Sequence, residues 1–347
     1  KTTTTSLISA IFTSTNIDAT IINGGVLNSD GNSAKLGKSD WCILESDESD
    51  GSFLNIPINY SVVTNIDEEH LDFYKSIKNL KKYFLEFIEK TPSFGKSYVC
   101  IDNNFNREVL RNIKNKNFLT YGLNKFANFK IKNIKQLRYS SKFHLEISLP
   151  GKEVINVKDI SIPIIGLHNI QNATASFAVC YNIGISIKCI KIGLKNFQGV
   201  QRRFNKLFSF RKINFIDDYA HHPTEIKSVL NGIKNSYKNE EIVCIFQPHR
   251  VSRLNSLKKK FEACFRDATT VILCPVYKAG ETINLKFKYE SFAKQIIKKS
   301  KTKLIMVNDE KDLLKYVRQN IFGNKIVIGM GAGSISNWLK FLASKLA

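Results

Sequence analysis

The chain has 347 residues, 43% of them hydrophobic, which suits about two ordinary domains with buried cores. Its formal net charge is +22, yet the lysines are scattered among Ile and Asn, as in "NIKNKNF" and "IKKSKTKL". That dispersal argues against a basic stripe for nucleic acid, while a positive field still favours encounter with small anions. No apolar run reaches the ~18 residues of a membrane helix, so no membrane partner is expected, and no basic-then-apolar leader is present. The seven cysteines are scattered, odd in number and never spaced C-x-x-C. They read as reduced core thiols of a cytoplasmic protein, including those within "WCIL" and "VILCPV".

In chain order, "KTTTTSL" comes first. Lys1 and Thr2 read either as a polar N-terminal strand or cap for the apolar run from Leu7 to Phe12, or as the tail of G-x-x-x-x-G-K-[ST], a phosphate loop without its glycines. "DATIIN", "WCILES", "YSVVTNI", "SYVCID" and "FLTYG" follow as strands, alternating with amphipathic stretches such as Ile77 to Glu89 and Asn104 to Ile113. This alternation predicts an α/β fold, a mostly parallel sheet with helices on both faces. From about Phe126 to Ile165 the helical period vanishes, which predicts a small antiparallel patch attached to the first sheet. "GLHNIQNATASFAVCYNIG" returns to helix with small residues for tight packing. A second, Rossmann-like α/β series begins after "FQGVQRRF": "INFIDDYA", a helix from Thr224, "EIVCIFQ", a helix from Ser252, "TTVILCPV", "TKLIMV", a helix capped by Asn308, and "KIVIGMG". The expected domains are 1–199 and 200–347.

The charged motifs sit at strand ends. "ESDESDGSF" sets Glu45, Asp47, Glu48 and Asp50 directly after an apolar strand, where parallel sheets bind ligands. Such carboxylates suit a hard cation such as Mg²⁺, though a solvated acidic loop reads equally well. "VTNIDEEHLDFY" brings His70 to the same rim. A lysine, a threonine hydroxyl, carboxylates and a histidine together make an inventory for an Mg-nucleotide. "DDYAHHPTE" is open to a plainer reading, since Pro223 suits the first position of a helix. Arg202 and Arg203 read also as a surface pair at a hinge, and "GMGAGSIS" as a glycine turn between strand and helix.

"KTTTT", "ESDESDGSF", "VTNIDEEHLDFY", "GLHNIQNA", "RRF", "DDYAHHPTE", "FQPHRVSR", "VYKAGE" and "GMGAGSIS" resemble, in order and spacing, the motifs of the Mur ligases. The resemblance runs from residue 1 to the last helix and is closest to the branch that adds L-alanine. It implies ATP-dependent ligation of L-alanine to the lactyl carboxylate of UDP-N-acetylmuramate through an acyl phosphate, in peptidoglycan precursor synthesis. The alternatives are a related ligase with another acceptor and a basic nucleic-acid module. By position, the resemblance makes Lys1 a phosphate contact, Thr2 and Thr3 nucleotide contacts, and Thr2, Glu45 and His70 ligands of Mg²⁺. Asn169 and Asn172 contact the nucleotide, while Arg203 and Asp218 reach ATP when the domains close. His222, Arg250 and Arg253 face the reacting carboxylate and the amino acid, and Asn23 and Gly24 face the sugar nucleotide. Lys1, Glu45, His70, Arg203 and His222 form the expected catalytic set. The family's uridine-diphosphate-binding domain and the glycines of its phosphate loop have no counterpart here, so this chain by itself is expected to bind ATP poorly and to be inactive. No oligomeric state is implied.

Overall fold

The structure is a computed structural model and describes residues 1–29, 31–281 and 288–346. The chain divides into two compact units, Lys1–Val200 and Gln201–Ala347.

The first unit opens with α1 (Thr2–Thr13), whose threonines and serines are indifferent helix formers. Burial holds it instead: Leu7, Ile8, Ile11 and Phe12 recur on one face and are all interior. Its Ser6 and Thr13 hydroxyls bond back to the carbonyls of Thr2 and Ser9, which satisfies these hydroxyls within the packed helix. Three short strands follow, β1 (Thr20–Ile22), β2 (Ala34–Lys35) and β3 (Cys42–Leu44), in the order β2-β1-β3 with β1 and β3 parallel. A second sheet holds β4 (Tyr60–Val63), β5 (Lys96–Cys100), β6 (Phe118–Gly122), β7 (Phe129–Gln136), β8 (Ser141–Ile147) and β9 (Ile155–Ile162). Its strands are parallel from β4 to β7 and antiparallel from β7 to β9. Helices α2 (Leu71–Tyr74), α3 (Ile77–Glu89) and α4 (Asn104–Leu110) lie between the parallel strands in sequence. Helices α5 (Leu167–Asn182) and α6 (Ile187–Lys195) follow β9, and both pack on α1. Small side chains permit this: Ala173, Ala175, Ser176 and Ala178 of α5 have no exposure.

The second unit is one six-stranded sheet, β10 (Asn205–Phe210), β11 (Ile213–Asp218), β12 (Glu241–Phe246), β13 (Thr270–Leu273), β14 (Lys303–Met306) and β15 (Lys325–Met330), in the order β10-β11-β15-β12-β13-β14. Only β10 is antiparallel. Helices α7 (Pro223–Ser236), α8 (Val251–Ser256), α9 (Lys258–Phe261), α10 (Tyr289–Ser300), α11 (Glu310–Asn320) and α12 (Ile335–Leu346) connect and cover the strands. No helix among the described residues is long and apolar enough to cross a membrane.

The fold is the expected α/β type, with four differences of detail. "DATIIN" and "WCILES" form their own small sheet rather than joining that of "YSVVTNI"; Trp41 meets β4 through ring packing on Tyr60, at 6.0 Å, and not through a ladder. Asp309, not Asn308, caps α11, because its carboxylate accepts from the N–H groups of Lys311 and Asp312 while Asn308 bonds the Asp312 side chain. β10 was not anticipated; its turn to β11 uses Arg211 and Lys212, both at positive φ, rather than the Asn-Gly that marks such hairpins. Cys42 is exposed at the start of β3, whereas Cys100, Cys180, Cys244, Cys264 and Cys274 are core, and all seven thiols are free.

Gly193 of α6 marks the closest approach to α1: a Cβ there would stand 2.5 Å from Ile11 Cα and 2.9 Å from the Ala10 carbonyl oxygen. Backbone cannot yield as a side chain does, so Gly193→Ala should cost about 1–3 kcal/mol of stability in urea denaturation. A wild-type midpoint would contradict this packing.

Candidate active site

In the first unit, parallel pairing brings two strand ends together. β1 and β3 run side by side, so the chain delivers Asn23–Gly24–Gly25 and Glu45 to the same edge. The Glu45 carboxylate is fixed from two sides, since Thr2 Oγ1 donates to Oε1 at 2.8 Å and the Gly24 N–H to Oε2 at 2.7 Å. A Cβ on Gly24 would fall 2.8–2.9 Å from that carboxylate, so a larger residue there would displace the Glu45 side chain. Beneath it, Asn23 Nδ2 donates to Ser6 Oγ at 2.7 Å, and Ser6 Oγ donates to the Thr2 carbonyl at 2.7 Å. The strand end is thereby tied to the first turn of α1. Thr3 sits half-buried in the same turn.

Lys1 precedes that turn as the helix cap residue. Its Nζ bonds Asp47 Oδ1 at 3.0 Å and also pairs with Glu48. Partial burial works against the ammonium, but the charges and hydrogen bonds of Glu48 and Asp47 outweigh it and raise the Lys1 pKa. His70 has left-handed backbone, φ 54°, and its Nε2 lies 3.9 Å from Glu48 Oε1. Ligand atoms of Asp47, Glu48 and His70 all lie within 4.8 Å of one another. With Glu45 and the Thr2 hydroxyl alongside, this oxygen-rich donor set fits a hard divalent cation. Asn169 and Asn172 stand on the first half of α5; Asn172 Nδ2 donates to Asn169 Oδ1 at 3.3 Å, and Asn169 Nδ2 donates to the Ile165 carbonyl. One turn further on, Ser176 Oγ reaches the Thr4 carbonyl of α1 at 3.2 Å.

In the second unit the parallel strands β11, β15, β12 and β13 carry their motifs to one edge. Asp218 ends β11 and is 4% exposed; its carboxylate accepts from the N–H groups of Phe204 and Ala220, each at 2.8 Å. The guanidinium groups of Arg202 and Arg203 lie 4.8 and 5.2 Å from the Tyr219 ring centre. From Tyr219 a row of rings continues through His221 (5.2 Å) and His249 (5.9 Å) to Tyr277, which stacks on His249 at 5.5 Å. Burial, then the charges of Arg253, His221 and Arg250, push His249 down to about 4, against the pull of Glu281. It is therefore neutral at pH 7, and its Nδ1 accepts from Arg253 Nη1 at 3.2 Å.

Comparison with known proteins follows these landmarks. Residues 1–180 match the Mur ligase middle domain, and residues 202–333 the Mur ligase, glutamate ligase domain. The UDP-N-acetylmuramate–L-alanine ligase of Pelagibacter ubique (strain HTCC1062) is 60% identical over 342 residues, 99% of this chain and 74% of that one. The chain belongs to the Mur ligase family. The ligase of the same name from Bartonella bacilliformis is 38% identical over all of this chain and 73% of its own. The crystal structure of UDP-N-acetylmuramate-alanine ligase from Thermotoga maritima superposes with a TM-score of 0.80 at 25% identity, covering 99% of this chain and 73% of that one.

Against that family pattern, the structure brings Lys1, Thr2, Glu45 and His70 to one rim and adds Asp47 and Glu48, which were visible in "ESDESDGSF" but not singled out. Three residues expected at substrate have intramolecular partners in the structure. His222 is 2% exposed and caps α7, its Nδ1 accepting from the Thr224 N–H. His221, its neighbour, joins the ring row instead. Asn23 is 7% exposed and donates its amide to Ser6, and Gly24 presents its N–H to Glu45. His221, His249 and Tyr277, which continue the ring row, lie within quoted motifs but were not singled out.

Burial lifts the Asp218 carboxyl to about 6; Arg203 and the N–H groups of Ala220 and Phe204 pull it down, and Glu225 adds to the rise. The folded state then holds this proton more tightly than the unfolded chain, whose value is near 3.8. Its contribution to stability is full below about pH 4 and is lost as pH rises to about 6. Between pH 4 and 7 the wild type should lose up to about 3 kcal/mol relative to Asp218→Asn, read by denaturant titration at both values. An equal gap at both pH values would contradict the raised pKa.

Proposed function

We propose that this chain carries the ligase chemistry that joins L-alanine to the lactyl carboxylate of UDP-N-acetylmuramate at the expense of ATP, in peptidoglycan precursor synthesis. The observation that carries the reading is the gathering of Lys1, Thr2, Glu45, Asp47, Glu48 and His70 at the start of α1. The first-turn N–H groups of a helix are unpaired within it and favour phosphate. The amides at the start of α1, with the Lys1 ammonium, suit the β- and γ-phosphates of ATP. Asn169 and Asn172 contact the nucleotide from α5.

The lactyl carboxylate attacks the γ-phosphorus of ATP, forming a C(O)O–P bond as the bond to ADP breaks. The amine of L-alanine then attacks the acyl carbon, forms the amide, loses a proton and releases inorganic phosphate. Phosphoryl transfer asks the protein mainly for alignment and charge neutralisation. Lys1 and Arg203 supply positive charge, and Asp218 keeps the Arg203 segment in place through its bond to the Phe204 N–H. Mg²⁺, held by Thr2, Glu45 and His70 with Asp47 and Glu48 nearby, supplies further neutralisation of phosphate charge when bound. Arg250 and Arg253 suit the carboxylate of the incoming amino acid, with His221 and His249 beside them. Neutral His249 leaves that site's positive charge to the arginines. ATP as co-substrate and seven free thiols suit the cytoplasm.

In the full-length protein, phosphate release from ATP should require both UDP-N-acetylmuramate and L-alanine, as measured with a coupled phosphate assay. Release indifferent to either would sink the reading. Glu45→Ala should lower turnover about 100-fold or more while costing only about 1 kcal/mol of stability, because its two bonds lie at a half-exposed rim. Unchanged turnover would remove Glu45 from the chemistry.

A further inference from the structure

The "VYKAGE" segment has no role in the chemistry above, yet it is built into the arginine and histidine cluster. Arg250 has φ 67° and ψ 132°, a backbone conformation that an L-residue with a long side chain adopts only under constraint. The constraint comes from Tyr277 and Glu281. The Tyr277 carbonyl accepts the Arg250 N–H at 2.8 Å, and the Tyr277 N–H donates to the Pro248 carbonyl at 2.8 Å. These two bonds straddle His249 and extend the β12–β13 pairing by one isolated bridge. Immediately after Arg250, the Glu281 carboxylate accepts from the N–H of Val251 at 2.7 Å and of Ser252 at 3.3 Å, and from the Ser252 hydroxyl. The chain is thus clamped on both sides of the strained residue.

The Tyr277 side chain extends the clamp to the histidine. Its ring stacks on His249 with an interplanar angle of 16°. It also lies so near Gly333 that a Cβ there would come within 2.5 Å of Tyr277 Cγ and 2.6 Å of Gln247 Oε1. Gln247 in turn fixes the glycine loop, donating to Ser334 Oγ and accepting from the Ile335 N–H, each at 3.0 Å. The sequence of contacts is loop 331–334, Tyr277 ring, His249 ring, Arg253 guanidinium.

We infer that Tyr277 and Glu281 are positioning residues that hold Arg250, His249 and Arg253 in the arrangement that receives the amino-acid carboxylate, with Gly333 leaving room for the Tyr277 ring. This assignment rests on the proposed ligase reading. It places the KM for L-alanine, and not that for ATP, under the control of this segment.

The test is steady-state kinetics of phosphate release in the full-length enzyme, varying L-alanine and ATP separately, for wild type, Tyr277→Leu, Tyr277→Phe, Gly333→Ala and Glu281→Gln. Circular dichroism checks that each variant is folded. Tyr277→Leu and Gly333→Ala should each raise the L-alanine KM about tenfold and leave the ATP KM within about twofold, equivalent to about 1.4 kcal/mol on one substrate alone. Tyr277→Phe keeps the ring and both backbone bonds and should behave as wild type; Glu281→Gln should raise the L-alanine KM in the same sense. Wild-type release that needs L-alanine, with the variants' L-alanine KM unchanged or rising in step with that for ATP, would overturn the inference alone. Wild-type release indifferent to L-alanine would overturn the functional reading and this inference with it.

Discussion

One electrostatic constraint organises the first unit: carboxylates held against the amino end of a helix that begins with a lysine. Glu45 is gripped by the Thr2 hydroxyl and the Gly24 amide, and Asp47 and Glu48 by the Lys1 ammonium. A triphosphate brought to such a rim meets favourable amides and an ammonium but also several negative oxygens. At about 4 Å, like charges near a protein surface repel by roughly 4 kcal/mol each, so acid and phosphate share the site only with a cation between them. A divalent ion held by Thr2, Glu45 and His70, beside the carboxylates that pair with Lys1, would offset that repulsion.

That arrangement depends on a helix with little intrinsic reason to exist. α1 is rich in threonine and serine at its start, and its position comes from apolar burial against α5 and α6, from back-bonded hydroxyls and from Asn23 locking Ser6. Packing thus sets the coordinates of Thr2 and, through it, of Glu45. The second unit solves a comparable problem differently. Its strands deliver Asp218, Gln247, Tyr277 and Gly331 to one edge, and a strained Arg250 is held there by backbone bonds from a neighbouring segment.

Much of this was legible in the sequence because parallel α/β sheets put ligand groups at strand ends, and "ESDESDGSF", "VTNIDEEHLDFY" and "DDYAHHPTE" each follow an apolar run. What was hidden depended on choices between neighbours. Whether His221 or His222 faces outward follows from which one caps α7, and Glu225 with Pro223 gives the cap to His222. Whether Glu45 or Glu48 lies beside His70 follows from the path of the loop after β3, held by the Thr2 and Lys1 contacts. Tyr277 was passed over because its work is done by its backbone and by a stacked ring, features with no signature in residue type. The separate β1–β3 sheet was hidden too, since ladder breaks leave no mark on short apolar strands.

The most direct measurement of the central claim is the affinity of the wild-type protein for ATP by calorimetry, with Mg²⁺ present and after its removal by chelation. If the acidic rim and Lys1 together form a metal–triphosphate site, affinity should fall by at least tenfold on chelation and recover when Mg²⁺ is restored. Binding of equal strength with and without the metal would contradict the account, because the carboxylates would then have no cation to reconcile them with the phosphates.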